Sequence, residues 1–166
     1  PDHPMVHYYV GAAYTEMGEC RKAIVSYTRA LALDPTLADA VRRRGDCQYV
    51  LVPVLSSDVQ DYYDRALADY DAALDLAPDA YTCNARGALI ASLGRLEEAL
   101  EDYARAEALD PDYPETYFNR GYVYKLLGED ERAVVEFERF LSFESHWNDE
   151  MVAQAEAYIK EITEGE

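Results

Sequence analysis

Four glycines recur along this 166-residue chain with a spacing that few folds permit. Gly45 follows Gly11 by 34 residues, and Gly121 follows Gly87 by the same 34 residues. An alanine lies 12 residues after the glycine in three of the four segments, and 21 residues after it in the second. These alanines are Ala23, Ala66, Ala99 and Ala133. A fixed period of this size is typical of stacked supersecondary units rather than of one globular core.

Each segment has the apolar pattern of two helices. The second helix of the first segment has one stripe, formed by Ala23, Ile24, Tyr27, Ala30 and Leu31. A mid-helix glycine costs about 1 kcal/mol relative to alanine, so its recurrence predicts that the paired helix approaches closely. Gly18, Gly94 and Gly128 mark the turn between the two helices. Asp-Pro pairs at 34–35 and 110–111 end the second helix, because the residue before proline avoids the helical region.

These motifs resemble the tetratricopeptide repeat (TPR), whose signature is W-x2-L-G-x2-Y, then A-x3-F, then proline. The first repeat matches it with His7, Val10, Gly11, Tyr14, Ala23, Tyr27, Ala30 and Pro35. The resemblance implies an all-α fold, a right-handed α-α superhelix or solenoid of four helix pairs with a C-terminal capping helix. We expect a single array over residues 1–166, with repeats at about 4–37, 38–79, 80–113 and 114–147 and the capping helix at 148–163.

The second repeat has nine extra residues between its glycine and its alanine. Pro53 predicts the end of the first helix, and Ser57 with Gln60 has the spacing of a capping box for the second. We therefore expect both helices to exceed their counterparts, with residues 51–57 at the tip. Two interpretations of the apolar residues stay open: they pack on neighbouring tyrosines, or they form a second contact with a partner. These residues are Leu51, Val52, Val54 and Leu55.

The resemblance also implies that the first helix of each repeat lines a concave groove. Candidate groove residues lie about 100° around that helix from the glycine stripe. In the first two repeats they are Tyr8, Tyr9, Arg42, Arg43 and Tyr49. In the last two they are Tyr81, Asn84, Phe118, Asn119, Tyr122 and Lys125. Few acidic residues are expected on this face.

The residue types of the groove predict its ligand. Arginine binds carboxylates bidentately, aromatic rings provide rigid apolar area, and asparagine both donates to and accepts from a peptide backbone. We therefore expect a peptide with acidic or C-terminal carboxylate character. Residues 117–121 resemble part of the carboxylate clamp of chaperone-tail-binding TPR domains, whereas Tyr8, Tyr9 and Ala12 depart from it.

Charge and motif content exclude several classes of function. The chain has 33 acidic and 15 basic residues, a net charge of −18, which disfavours nucleic acid and anionic membranes. It has no stretch near the roughly 20 apolar residues of a membrane helix, and no catalytic motif. Cys20, Cys47 and Cys83 lack CxxC spacing and are interpreted as buried small residues. We expect no enzyme activity, no cofactor and no metal.

The sequence thus predicts a cytoplasmic protein–protein interaction module that binds a peptide or helix of an unidentified partner. Two alternatives stay open, a self-associating structural scaffold and a non-catalytic TPR domain of a larger enzyme. The oligomeric state is also open. The chain begins inside the first repeat, so a preceding leader is compatible with the sequence.

Overall fold

The computed structural model describes residues 2–52, 59–143 and 148–165, and these form nine α-helices. The first four are α1 (Pro4–Glu16), α2 (Cys20–Leu33), α3 (Ala38–Leu51) and α4 (Val59–Leu76). The others are α5 (Ala80–Ser92), α6 (Leu96–Leu109), α7 (Pro114–Leu127), α8 (Asp130–Leu141) and α9 (Asp149–Glu164). None of the described residues lies in a β-strand, so the predicted all-α class is confirmed.

The chain divides into two compact units, Pro1–Pro78 and Asp79–Glu166. Unit 1 contains the helix pairs α1/α2 and α3/α4, and unit 2 contains α5/α6, α7/α8 and the final helix α9. Within the units α2 also packs on α3, α6 on α7 and α8 on α9. In these contacts the second helix of one repeat packs on the first helix of the following repeat. Such packing buries an apolar face that an isolated helix pair would expose, as in a repeat array.

The recurring glycines lie where an aromatic ring of the paired helix crosses the first helix. A Cβ atom placed on Gly11 would meet Tyr27 Cε1 at 2.6 Å, and one on Gly121 would meet Phe137 Cε1 at 2.9 Å. Tyr27 and Phe137 are fully buried. The glycines are thus required by close helix approach, as the sequence predicts, because any side chain would occupy the volume of the ring.

The helix ends follow the turn signals. Gly128 has φ of 73° at the C-cap of α7, a left-handed conformation that glycine adopts without steric cost. Gly18 and Gly94 also have positive φ in the turns after α1 and α5. The second helices of the first and third repeats end at the extended residues Asp34 and Asp110, each just before a proline.

An arginine–acid pair joins the two helices of the second, third and fourth repeats. Arg44 donates to both carboxylate oxygens of Asp69 at 2.8 and 2.7 Å, and Arg86 donates to both oxygens of Asp102 at 2.8 and 2.6 Å. The Asp102 side chain is only 3% exposed. In the fourth repeat the pair is Arg120 with Glu136, at 2.8 Å. Paired hydrogen bonds of this kind satisfy an otherwise buried charge.

The prediction for the insertion is wrong for one helix and confirmed for the other. α3 has 14 residues, no more than α7 with 14, whereas α4 has 18 against 14, 14 and 12 for the other second helices. The extra helical length is therefore built onto the second helix alone, since α3 ends before Pro53 at the normal distance from Gly45. Residues 53–57 of the predicted tip, and Ser57 of the capping box, lie outside the described residues.

The final helix, α9, lies where the capping helix was predicted and has the features of a cap. Asn148 is its N-cap, with Oδ1 accepting from the backbone N–H groups of Glu150 and Met151 at 3.0 and 3.3 Å. Ala155 is fully buried in a cluster with Phe137 and Phe140 of α8. The opposite face of α9 is exposed and polar. The helix therefore covers the last apolar surface of unit 2 and presents a polar surface to water.

Candidate functional site

In unit 1 the predicted groove residues gather around one carboxylate, that of Asp39 on α3. Tyr8 donates its hydroxyl proton to Asp39, and Arg43 Nε donates to the same Oδ2 atom at 2.9 Å. Arg42 bridges Asp39 and Asp46, with its Nη1 atom 2.9 Å from Asp46 Oδ2. At this cluster two acids therefore offset the two arginines, although few acids were expected on this face.

The pKa shifts of this cluster reflect the pairing. Burial raises the pKa of Asp39, but the hydrogen bond from Tyr8 and the ion pairs with Arg42 and Arg43 outweigh it, so the pKa lies below its ordinary value. Burial and the Asp39 carboxylate both raise the pKa of the Tyr8 phenol. At neutral pH the cluster holds an ionised carboxylate, two guanidinium groups and a neutral phenol.

The other two predicted residues of unit 1 provide aromatic surface. Tyr9 is 64% exposed and meets the Tyr8 ring edge-on with 5.2 Å between ring centroids. Tyr49 is half-buried, with its ring 6.3 Å from that of Tyr63 on α4. Of the five candidates in unit 1, Tyr9 has the largest exposed fraction, while the Tyr8 ring also packs 6.1 Å from Tyr27 in the core.

In unit 2 two asparagines of neighbouring first helices meet. Asn119 Nδ2 donates to Asn84 Oδ1 at 3.1 Å, and Asn84 is 7% exposed. Tyr81 and Tyr122, on the same two helices, are 43% and 40% exposed. The surface thus has an amide pair at its floor and two exposed phenol rings, groups that can hold a peptide backbone and pack on its side chains.

Two candidates of unit 2 are partly engaged elsewhere. The Phe118 ring packs on Phe137 and Phe140, with centroid separations of 5.8 and 5.3 Å, so it also belongs to the core. Lys125 Nζ lies 2.9 Å from Glu161 Oε1 and 5.0 Å from the centre of the Tyr158 ring, both on α9. The hydrogen bond to Glu161 raises the pKa of Lys125. Lys125 is therefore a charged but already paired group.

The sequence analysis did not name Asp39 as a partner of the arginines, although the spacing of the acids could have revealed these pairs. Asp39 precedes Arg42 and Arg43 by three and four residues, and Asp46 follows Arg42 by four. These are the separations at which side chains are neighbours on a helix. Glu161 has no such signal, because its pairing with Lys125 depends on how α9 packs in unit 2.

The possible second contact is only partly described. Leu51 and Val52 are 9% and 7% exposed, and Leu51 packs in the core cluster of α2 and α3. For these two residues the structure favours internal packing over an exposed contact. Val54 and Leu55 lie outside the described residues, so a partner contact at those positions stays a prediction.

No group of three or more potential metal ligands occurs among the residues that the structure describes. The three cysteines are free and buried. Burial raises the pKa of the Cys47 thiol to about 12, and it also raises that of Cys83. Both thiols are therefore protonated and poor nucleophiles near neutral pH. Within the same residues, no helix has the length and apolar character that a membrane span requires.

Charge is distributed unevenly between the two kinds of helix. The first helices of the four pairs, α1, α3, α5 and α7, together contain six arginine or lysine residues and four acidic ones. The whole chain, in contrast, carries a net charge of −18. The surface that contains the candidate residues is thus the less acidic part of each unit.

Comparison with known proteins gives two matches to repeat families. One, described as TPR repeat, covers residues 87–128, and the other, described as tetratricopeptide repeat, covers residues 114–146. Among solved structures, a thermophilic TPR protein from Thermus thermophilus has a TM-score of 0.82 at 18% identity, covering 96% of this chain and 82% of that one. A second, YrrB, described as a TPR protein with an unusual peptide-binding site, has a TM-score of 0.66 at 19% identity, covering 95% and 85%.

Two curated relatives are longer proteins. The TPR repeat-containing thioredoxin TTL4 of Arabidopsis thaliana is 34% identical over 111 residues, which are 66% of this chain and 15% of that protein. The Hsp70-Hsp90 organizing protein of Triticum aestivum is 26% identical over 147 residues, 88% of this chain and 24% of that protein. The chain therefore spans less than a quarter of the length of either.

Helix pairs of fixed register, joined by a glycine–aromatic contact, define an α-α repeat protein. The family matches show that the chain belongs to the tetratricopeptide repeat family, and the structural neighbours share its solenoid fold.

Proposed function

We propose that this TPR chain is a non-enzymatic interaction module whose first helices bind a peptide segment or a helix of a partner protein. The observation that carries the proposal is the Asn84–Asn119 amide pair, which lies on the same two helices as the exposed rings of Tyr81 and Tyr122. Asn119 has a carbonyl oxygen and Asn84 an amide group that can bond to a peptide backbone in addition to their mutual contact. A cytoplasmic location stays a prediction.

We further propose a ligand with acidic or C-terminal carboxylate character. The first helices have more basic than acidic residues, and a guanidinium group has five N–H donors. Arg42 and Arg43 direct some of these donors at Asp39 and Asp46, so an incoming carboxylate would compete with or join these acids. Affinity on the order of micromolar is expected, because ordering a flexible peptide and replacing an existing ion pair both oppose binding.

The experiment is a peptide-array screen followed by calorimetry on the ligands it finds. The array should include C-terminal chaperone peptides, because the wheat relative is named as an organizer of Hsp70 and Hsp90. Asn119→Ala and Tyr122→Ala should weaken binding at least fivefold. The control is Val135→Ala, since Val135 is 62% exposed on α8, away from the first helices. If ligands are found and both site variants bind them as tightly as the control does, the proposal is wrong.

The carboxylate preference needs its own control, because any charge reversal changes the net charge of an acidic protein. Arg42→Glu/Arg43→Glu should abolish binding of carboxylate-bearing peptides. Arg65→Glu/Arg105→Glu makes the same change in net charge at side chains that are 61% and 62% exposed on α4 and α6. Equal effects of the two double variants would show that only net charge matters, and would contradict a specific carboxylate site.

The alternative of a non-catalytic TPR domain within a larger enzyme stays open. One relative is named as a thioredoxin that contains TPR repeats, and this chain matches 15% of it. In that alternative the binding surface is the same, but the bound partner would be brought to the catalytic domain of the larger enzyme.

A further inference from the structure

Two of the three cysteines lie together in the core of unit 1. Cys20 is the first residue of α2 and Cys47 lies on α3, and they are 7% and 1% exposed. Both belong to the buried cluster that contains Tyr27 and Leu51. The proposed peptide binding uses neither thiol, so their chemistry is independent of the first-helix surface.

The packing of α2 on α3 brings the two thiols side by side. α2 ends at Leu33 and α3 begins at Ala38, and a connection this short makes packed helices antiparallel. The start of α2 therefore lies beside the second half of α3, where Cys47 is found. Burial raises the pKa of the Cys47 thiol, and a hydrogen bond shared with the Cys20 thiol raises it further. The two sulfur atoms are thus near neighbours.

A hydroxyl group of α1 also contacts Cys47. Thr15 Oγ1, near the end of α1, lies 3.5 Å from Cys47 Sγ and 3.0 Å from the hydroxyl oxygen of Tyr27. The same hydroxyl donates to the backbone oxygen of Gly11 at 3.1 Å. These contacts restrict the Cys47 side chain and keep its sulfur atom at the boundary between α2 and α3.

Apolar packing alone does not require sulfur at these two positions. Cys20 follows its repeat glycine by nine residues, and Cys47 follows its own by two. The same positions of the third and fourth repeats are Leu96 and Val123, so aliphatic side chains are compatible with this place in a repeat array. What a pair of thiols adds to such packing is the capacity to form a bond with each other.

We propose that hydroperoxides oxidise Cys20 and Cys47 to a disulfide, which links the first repeat to the second. Cys20 is the thiol that reacts first, because it is the more exposed of the two and hydrogen peroxide is small. Cys47 is almost completely buried, so it reacts only with its neighbour. This inference depends on the fold alone and can fail without affecting the proposed peptide binding.

The oxidation has two steps. In the first, the Cys20 sulfur attacks a peroxide oxygen, the O–O bond breaks, and the thiol proton leaves with the other oxygen as water, so that Cys20 becomes a sulfenic acid. In the second, the Cys47 sulfur attacks the sulfenic sulfur, the S–S bond forms, and the hydroxyl group leaves with the Cys47 proton as a second water. The two sulfur atoms lose two electrons in total, and the peroxide gains them. A dithiol reductant reverses the change by thiol–disulfide exchange.

The test is oxidation of the whole folded chain with millimolar hydrogen peroxide, followed by alkylation of the remaining thiols, digestion and mass spectrometry. We expect a link between Cys20 and Cys47 as the main product, while Cys83, the one cysteine of unit 2, stays free. The same oxidation in concentrated urea is the control, because an unfolded chain permits every pairing of the three cysteines.

Thermal unfolding measures what the link does to the fold. A disulfide that closes the segment between residues 20 and 47 restricts the unfolded chain, so oxidation should raise the melting temperature by roughly 5 °C or more. Cys47→Ser should abolish this rise. Cys83→Ser makes the same substitution at another buried thiol, 2% exposed, and should keep it. Circular dichroism of the reduced variants checks that both fold.

Several results of the mapping would overturn the proposal. They are thiols that stay unreacted, a sulfinic acid at Cys20 without a link to Cys47, a link between two copies of the chain, and the same mixture of links in the folded and the urea-unfolded chain. The last result would show that the fold does not bring the two thiols together. Because the mapping uses the unaltered chain, its outcome does not depend on whether a variant folds.

Discussion

At the scale of single residues, the helix pairs approach most closely where a side chain is missing. A Cβ at Gly11 would meet Tyr27 at 2.6 Å, whereas one at Gly45 would meet Asp69 Cβ at 3.2 Å and Tyr70 at 3.3 Å. Because a buried ring has no free volume to move into, the cost of an added methyl group depends on this distance.

Gly11→Ala should therefore lower the free energy of unfolding by about 1–3 kcal/mol, because the overpacking outweighs a gain in helix propensity of about 1 kcal/mol. Gly45→Ala should lower the free energy of unfolding markedly less, since the neighbouring atoms there are farther away and need to move by only a few tenths of an ångström. Urea unfolding of both variants measures the difference. A smaller loss for Gly11→Ala than for Gly45→Ala would contradict the reported packing.

The arginine–acid pairs between paired helices are a second contribution of single residues to the stability of the fold. Arg86→Leu should destabilise the chain by about 3 kcal/mol, because it leaves the nearly buried Asp102 carboxylate without its main partner. Arg95→Leu, in an exposed pair with Glu98, should cost less than about 1 kcal/mol. Thermal melts of the two variants, made in parallel, give the comparison. Similar losses would show that burial of Asp102 does not matter.

Asp39 gives the first-helix surface a pH dependence. Its folded pKa lies below the unfolded value of about 3.9, so it stabilises the folded chain above that pH and loses this effect as pH falls through the folded pKa. Asp39→Asn should cost up to about 1 kcal/mol at neutral pH, since the side chain is half exposed. Unfolding curves at pH 7 and at about pH 3 should show the difference shrink; a constant difference would argue against the ion pairs.

At the scale of elements, the sequence predicted helix type and turns well but helix length poorly. Glycine, alanine and aromatic residues recur in register because their contacts lie within one helix pair, so a single chain reveals them. The length of α3 depends on where the nine extra residues of the second repeat are placed. Local spacing does not show which of its two helices is lengthened by them, so the sequence predicted that both were. The arginine–acid pairs left a sequence signal, an arginine just before each of the last three repeat glycines, but the acid it meets is known only from packing.

The stability of α9 depends on its N-cap residue. Asn148→Ala removes the acceptor for two backbone N–H groups and should destabilise this helix by about 1 kcal/mol. Hydrogen exchange should become faster over residues 150–160 while α5 keeps its protection. Asp79, the N-cap of α5 with a 2.8 Å bond to Thr82 N, offers the matched variant. If Asp79→Ala and Asn148→Ala affected the same helix, the assignment of the two caps would be wrong.

At the scale of the whole molecule, excess negative charge opposes the compact state. The second helices α4, α6 and α8 and the final helix α9 each contain more acidic than basic residues. Repulsion among them is screened when the Debye length falls to about 3 Å near 1 M salt. We therefore expect the melting temperature to rise between about 0.05 M and about 1 M sodium chloride. A flat or falling melting temperature would mean that the surface ion pairs outweigh the repulsion.

The location of the arginine–acid pairs bears on how such a chain changes over generations. Arg44 and Asp69 belong to one repeat, and so do Arg86 and Asp102. When a complete repeat is duplicated or deleted, both charged residues of the pair are gained or lost together, so no buried charge remains without its partner. A junction inside a repeat would separate the two residues and leave a buried carboxylate unpaired. Array length can therefore vary in whole repeats with little penalty, and gene rearrangements that survive should have their junctions between repeats.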